Sequence, residues 1–166
     1  MTKAKGPSFN VAFRRRREKK TDYSKRLAFV KSGLPRLVVR KTNKQVIVQF
    51  FEFRPTGDVC IASVDAARLK KIAGWEMKCN SWSAYLAALL AGKEASKKGV
   101  KKFVLDIGMQ TPTKGSVVFA ALKGAIDAGL ETNFDEGVVP SKKLEEVPAK
   151  YKSAFEEAKG KISKLN

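Results

Sequence analysis

No histidine occurs anywhere in the chain, and cysteine occurs only twice, at Cys60 and Cys79. The first absence removes every His-based triad, and the two together remove a four-ligand zinc site and a disulfide framework. Both thiols are therefore expected to be ordinary, partly buried groups in a reducing compartment. Long apolar runs are also missing: none approaches the roughly 20 residues of a membrane span. The N-terminus is polar and basic, without the apolar segment of a secretory signal. A cytoplasmic chain is expected by elimination. Acidic residues are scarce as well, with 16 Asp+Glu against 34 Lys+Arg, a formal charge of +18. So large an excess repels itself unless a polyanion neutralises it, which makes nucleic acid the leading partner, ahead of an anionic membrane surface.

The excess is uneven. Residues 1–33 hold 11 basic and 2 acidic side chains, residues 34–72 hold 8 and 3, and residues 73–130 hold 8 and 4. Residues 131–166 hold 7 of each. Half of the net charge thus lies in the first fifth of the chain. This suggests a basic N-terminal arm and helix (1–33), an α/β RNA-binding domain (34–130) and a C-terminal extension (131–166).

The arm carries Arg14 to Arg17, then Lys19 and Lys20, flanked by Phe9, Val11 and Phe13. A basic run is often only a solvated helix face or a localisation signal. Aromatic interleaving and the global charge favour RNA here. Thr21-Asp22 is a cap for a helix running to about Ser32, with Gly33 as its stop. Lys25 and Arg26 extend the basic surface along it.

Pro35–Arg54 holds two apolar runs, Leu37–Val39 and Val46–Phe53, joined by the polar turn Lys41-Thr42-Asn43-Lys44. It reads as a long β-hairpin with Arg36, Arg40, Lys41 and Lys44 at its start and tip. Val59–Val64 is a third strand, Asp65–Ile72 a short helix. Asn80 or Ser81 caps the strongest helix, which reaches about Lys98 and buries Trp82, Tyr85, Leu86, Leu89 and Leu90. Val100–Ile107 is a fourth strand, expected to be central because Phe103-Val104-Leu105 is continuously apolar. Helix Gly115–Gly129 follows, with Gly124 where another backbone can touch it. The expected fold is α/β: a mixed sheet of about four strands, a three-stranded meander plus one strand after a helix, packed by helices. Tyr151–Leu165 alternates charges with few apolar anchors and reads as a tail or helix that orders on a partner.

The loop Gly108–Ser116 superficially resembles a phosphate loop but places Lys114 before Gly115, the reverse of GxxxxGK[ST]. What survives is a helix N-terminus at Gly115–Val117, where Lys114 and Ser116 are candidates to hold an RNA phosphate. A purely structural turn is the other reading. Catalysis requires convergent groups. Asp58, Asp65, Asp106 and Asp127 are the carboxylates from which a metal-dependent nuclease site would have to be built. Yet Asp58 fits a turn, Asp65 a helix start and Asp127 a late helical position. Asp106 ends a strand, where it could equally accept hydrogen bonds from the next loop. No metal or cofactor is called for. In the hairpin tip, Thr42, Asn43 and Gln45 suit 2′-hydroxyls or exposed base edges, while Arg and Lys suit phosphates.

Four blocks now carry a family resemblance: FRRRREKKTDYSKRL, PRLVVRKTNKQVIVQ, NSWSAYLAALLAGKEASKKG and VLDIGMQTPTKGSVVFAALKGAIDAGLE. Together they span about residues 9–131 and resemble the large-subunit ribosomal protein family numbered eighteen, in its archaeal form. The resemblance implies a non-enzymatic structural constituent of the large subunit that binds 5S rRNA. It further implies contact with large-subunit rRNA in the central protuberance, beside the 5S-binding ribosomal protein numbered five. Carried over by position, the RNA-facing residues are Arg14 to Arg17, Lys19, Lys20, Thr21, Tyr23, Lys25, Arg26, Arg36, Arg40, Thr42, Asn43, Lys44 and Gln49. Family members often have Ser at Thr42 and His at Gln45, and many have Arg near Val117. The alternatives from other classes are the nuclease and a general RNA chaperone.

Deleting residues 1–20 is expected to weaken RNA binding and to flatten the dependence of log K on log salt, because fewer counterions are released. Titrations at several salt concentrations check this; an unchanged slope contradicts it.

Overall fold

The computed structural model describes residues 6–76 and 78–165. Two N-terminal helices come first, α1 (Arg14–Arg17) and α2 (Tyr23–Ser32). The meander follows: β1 (Arg36–Lys41), β2 (Val46–Glu52) and β3 (Val59–Val64). Helices α3 (Ala66–Ala73) and α4 (Ser81–Lys97) lead to β4 (Val104–Asp106) and then α5 (Val117–Asp127). A 3-10 turn (Glu136–Val138), α6 (Ser141–Glu145) and α7 (Ala149–Ser163) complete the chain. The sheet order is β3-β2-β1-β4, with β1 antiparallel to β2 and parallel to β4. The fold is thus α/β with a mixed four-stranded sheet, a meander plus one strand reached through helices.

One face of the sheet builds the core. Leu37, Val39, Val46, Val48, Phe50, Ala62 and Val64 alternate onto it and are almost wholly buried, as the two-residue period of a strand requires. Phe50 meets Phe103 edge-on with ring centroids 5.7 Å apart. Helix α4 packs on this face and is buried on all sides from Ser83 to Gly92. It is wider in its burial than the single stripe expected, because α5 covers its other side. The small residues explain the fit: a Cβ on Gly124 would collide with the Tyr85 carbonyl oxygen, and one on Gly92 would lie 2.7 Å from the Ala128 Cβ. Asn80 caps α4 through a 2.8 Å bond from the Ser83 amide, and Asp65 caps α3 through Arg68.

Three expectations need correction. β4 is not central. It is a three-residue edge strand, and its apolar run divides between layers, with Phe103 and Leu105 under the helices. Its outer side is guarded by Glu131, whose carbonyl accepts from the Phe103 amide and whose amide donates to Lys101. Cys60 is exposed rather than partly buried, while Cys79 is half-buried. Finally, the charged C-terminal segment is already seated as α7. Phe155, Ala158 and Ile162 are buried, and Phe155 contacts Trp75 and Tyr85 at centroid distances of 6.0 and 5.9 Å. Three anchors at helical spacing suffice, since the opposite face needs only to be soluble.

Phe155→Ala is expected to lower stability by about 3 kcal/mol in urea unfolding, the cost of removing a buried ring. A change below about 0.5 kcal/mol, the size of a surface substitution, would mean that α7 contributes nothing to the fold.

Candidate nucleic-acid interface

The opposite face of the sheet builds the site. By register it presents Arg36, Val38 and Arg40 of β1, Gln49 and Phe51 of β2, and Asp106 of β4. Above it lies the N-terminal pair of helices. The arginine run makes one helical turn and stops because Lys19 takes a left-handed conformation (φ 51°), its amide bonded to the Arg16 carbonyl. A side chain in that conformation costs roughly 1 kcal/mol relative to glycine, so a lysine there is held by its surroundings. The Arg15 Nε donates to Thr21 Oγ1 at 2.8 Å, tying the two helices together. Asp22 then accepts from the Ser24 and Lys25 amides and starts α2, and Gly33 (φ 65°) ends it. Both ends of α2 are where the sequence puts them.

What holds α2 over the sheet is an ion network. Arg36, 7% exposed, donates through Nη2 to Asp58 Oδ2 at 2.6 Å and through Nη1 to Asp106 Oδ2 at 2.8 Å. The Arg26 Nη2 reaches both oxygens of Asp58, at 3.1 and 2.9 Å. Asp106 also accepts from the Gly108 amide at 2.9 Å, fixing the loop after β4. Gln110 secures that loop to β1, its Nε2 donating to the Val39 carbonyl at 3.0 Å. The network therefore joins α2, β1, the turn before β3 and the β4 loop.

Between these parts runs a groove of about 660 Å³. Eight of its lining side chains are basic and three are acidic. Two of the acids, Asp58 and Asp106, are engaged by arginine, and Asp22 caps α2. The remaining field is strongly positive, and low-dielectric walls on both sides focus it. Of the sequence candidates, the groove gathers Arg15, Lys19, Lys20, Thr21, Lys25, Arg26, Arg36 and Arg40. Arg14, Arg16, Arg17 and Tyr23 lie exposed outside it. At the hairpin tip, Thr42, Asn43 and Lys44 are exposed, and among the described residues the Asn43 and Lys44 side chains have no partner. They continue the line of cations from Arg40 and Lys41.

Several candidates serve the fold instead. Arg36 acts as a structural cation of the groove floor: it is buried, with both terminal nitrogens committed. Its Nε is buried without a partner. The Thr42 hydroxyl closes the turn, donating to the Gln45 carbonyl at 2.8 Å and accepting from the Gln45 amide at 3.0 Å. The Gln45 side chain accepts from the Ala66 amide, and Gln49 donates to Ser63 at 3.1 Å. The proposed anion cradle at Lys114 and Ser116 is largely filled by protein. The Gly115 amide donates to Val138 and the Ser116 amide to Thr113, so neither of these two amides is free for an anion, which favours the structural turn. The sequence reading missed the far wall, Ile107 to Gln110, and Phe51, while Lys41, which it set at the hairpin tip, lines the groove as well. The position of the far wall follows from parallel β1 and β4, whose C-terminal ends lie side by side.

The four carboxylates named for a nuclease do not form one site, and the two that approach each other do so around a cation. Asp58 and Asp106 share Arg36, Asp65 caps α3, and Asp127 accepts from Tyr85 at 2.8 Å and pairs with Lys123. Burial, followed by the bond to Asp127, pushes the Tyr85 hydroxyl well above the ordinary tyrosine range. Asp127 is therefore occupied with the phenol of Tyr85.

Arg36→Gln is expected to cost about 3 kcal/mol of stability, because Asp58 and Asp106 lose their shared buried cation. Chemical denaturation checks this; an unchanged midpoint would mean that the network is dispensable.

Against this geometry, the sequence matches the family described as ribosomal large subunit proteins 60S L5, and 50S L18, over residues 7–102 and 92–135. It is similar to a protein of Aeropyrum pernix titled large ribosomal subunit protein uL18. That relative is 49% identical over 137 residues, 82% of this chain and 64% of the relative. A protein of the same title from Desulfurococcus amylolyticus is 49% identical over 139 residues, 83% of this chain and 71% of that protein. The match thus covers less than two thirds of the first relative's length. With a match across both the cationic arm and the whole sheet, the chain belongs to the L18 family of large-subunit ribosomal proteins, in its archaeal form.

Proposed function

We propose that the chain is a non-enzymatic structural constituent of the large ribosomal subunit, working in the cytoplasm, that binds 5S rRNA. In this reading the groove between α2 and the open sheet face takes a stretch of sugar-phosphate backbone. The hairpin tip then meets the neighbouring riboses or base edges. Helping to attach 5S rRNA to large-subunit rRNA, next to the 5S-binding ribosomal protein numbered five, is part of the same proposal. The observation that carries it is the cationic groove itself, whose lining comes from five separate stretches of the chain, four of them held together by the Arg36 network.

The division of labour follows from the energetics. Exposed lysine and arginine contacts with phosphate give affinity through counterion release and carry no sequence information. A rigid tip closed by Thr42 presents Asn43 at a fixed place, which suits recognition rather than attraction. Titratable carboxylates are engaged in structural bonds throughout the groove, which supports a binding role over hydrolysis.

Footprinting of the purified protein on 5S rRNA is expected to give a contiguous protected region that a tenfold excess of unrelated RNA does not erase. Equal competition by both RNAs would favour a general chaperone. Arg40→Ala and Asn43→Ala are each expected to weaken that binding by about 1 kcal/mol with an unchanged melting temperature. A large melting shift with normal affinity would make them structural.

A further inference from the structure

Helix α2 has no fully buried residue: Phe29 and Val30 are half-buried, while Tyr23 and Leu27 on another side are exposed, as is Phe13 before it. Phe13 is 74% exposed, Tyr23 37% and Leu27 56%. They are not scattered. The Phe13 and Tyr23 rings meet with centroids 5.8 Å apart at an interplanar angle of 48°, and Leu27 stands one helical turn beyond Tyr23 on the same face. The row is therefore a small apolar shelf, with Phe13 outermost.

Its position is fixed by the backbone. Phe13 occupies the N-terminal flank of α1, and its carbonyl accepts from the Arg16 and Arg17 amides. Tyr23 is the first residue of α2, directly after the Asp22 cap. The Arg15–Thr21 bond spans the short connection between them. A ring whose backbone is hydrogen-bonded into α1 and which already rests against Tyr23 loses less freedom on binding than a free one.

We propose that Phe13, backed by Tyr23, is a stacking platform for an unpaired nucleobase. The RNA that this chain recognises then carries an unstacked nucleotide beside the backbone gripped by the arginines. The inference rests on the RNA reading above and adds a chemical requirement to it. Charge decides the occupant. The ring emerges from a run of four arginines, and among the described residues Arg16 and Arg17 have no carboxylate partner. An apolar protein surface docking on Phe13 would have to desolvate those guanidiniums. A nucleotide supplies a flat π-face for the ring and a phosphate for the arginine in one group, so both are satisfied together.

The test uses the full-length protein and two RNA hairpins of one sequence, the first fully paired and the second carrying a single bulged adenosine. The wild-type chain is expected to bind the bulged hairpin about tenfold more tightly, the lower part of the range for one stacked base. Phe13→Leu keeps apolar bulk and is expected to abolish that preference while leaving affinity for the paired hairpin unchanged. Phe13→Trp is expected to retain the preference, and its added indole emission should be quenched by the bulged hairpin alone. Equal wild-type affinity for the two hairpins would overturn the stacking role and leave the groove reading intact. An unaltered preference in Phe13→Leu would do the same, because a group other than the Phe13 ring would then be reading the bulge. Failure of the wild-type chain to bind either hairpin would overturn the stacking role, while the groove reading would fall only with the loss of the footprint on 5S rRNA.

Discussion

A guanidinium taken almost entirely out of water at the start of β1 organises this molecule. Arg36 is too costly to bury alone, and an unpaired charge there would outweigh several favourable contacts. Two carboxylates answer it, Asp58 from the turn before β3 and Asp106 from the end of β4. Each brings its own segment with it. Asp58 shares an oxygen with Arg26 and so ties α2 to the sheet, while Asp106 orders the loop after β4 through Gly108. The charges that line the groove on its near and far sides are held in place by this one cation beneath them.

The arrangement separates two tasks that a basic surface often confuses. The cations under the groove are paired and fixed. Those along its rim and at the hairpin tip, such as Arg40 and Lys44, are exposed, and among the described residues they make no ion pair. The first set sets geometry and is screened less by salt because it is partly buried. The second set supplies attraction and is screened over about 8 Å at physiological ionic strength. Half of the net charge lies in residues 1–33, N-terminal to the sheet, so attraction comes chiefly from the arm and fit from the tip.

Local chemistry was readable before the structure. Asp22 and Gly33 bound α2, Asn80 caps α4, Lys41–Lys44 turns the hairpin, and Gly124 admits a neighbouring backbone, all from short-range rules. What the sequence conceals is which side of a strand is covered, and by what. Arg36 and Arg40 share a face by alternation and look equivalent, yet Arg36 is buried by carboxylates that follow 22 and 70 residues later. The β4 triplet looks central because apolar runs signal burial, although helices rather than flanking strands bury it. The α7 segment looks unanchored because three buried residues on one face leave little trace in composition. The Ser116 helix start looks like an anion site until Val138 returns from the C-terminal part to take the Gly115 amide.

Amide hydrogen exchange across the chain, with and without 5S rRNA, addresses the central claim most directly. The groove account predicts slowed exchange on RNA addition at residues 14–26, 36–45 and 106–110. It predicts no change at 113–117 or along α7. Protection confined to the loop at 113–117, or spread evenly over every exposed lysine-rich segment, would contradict it.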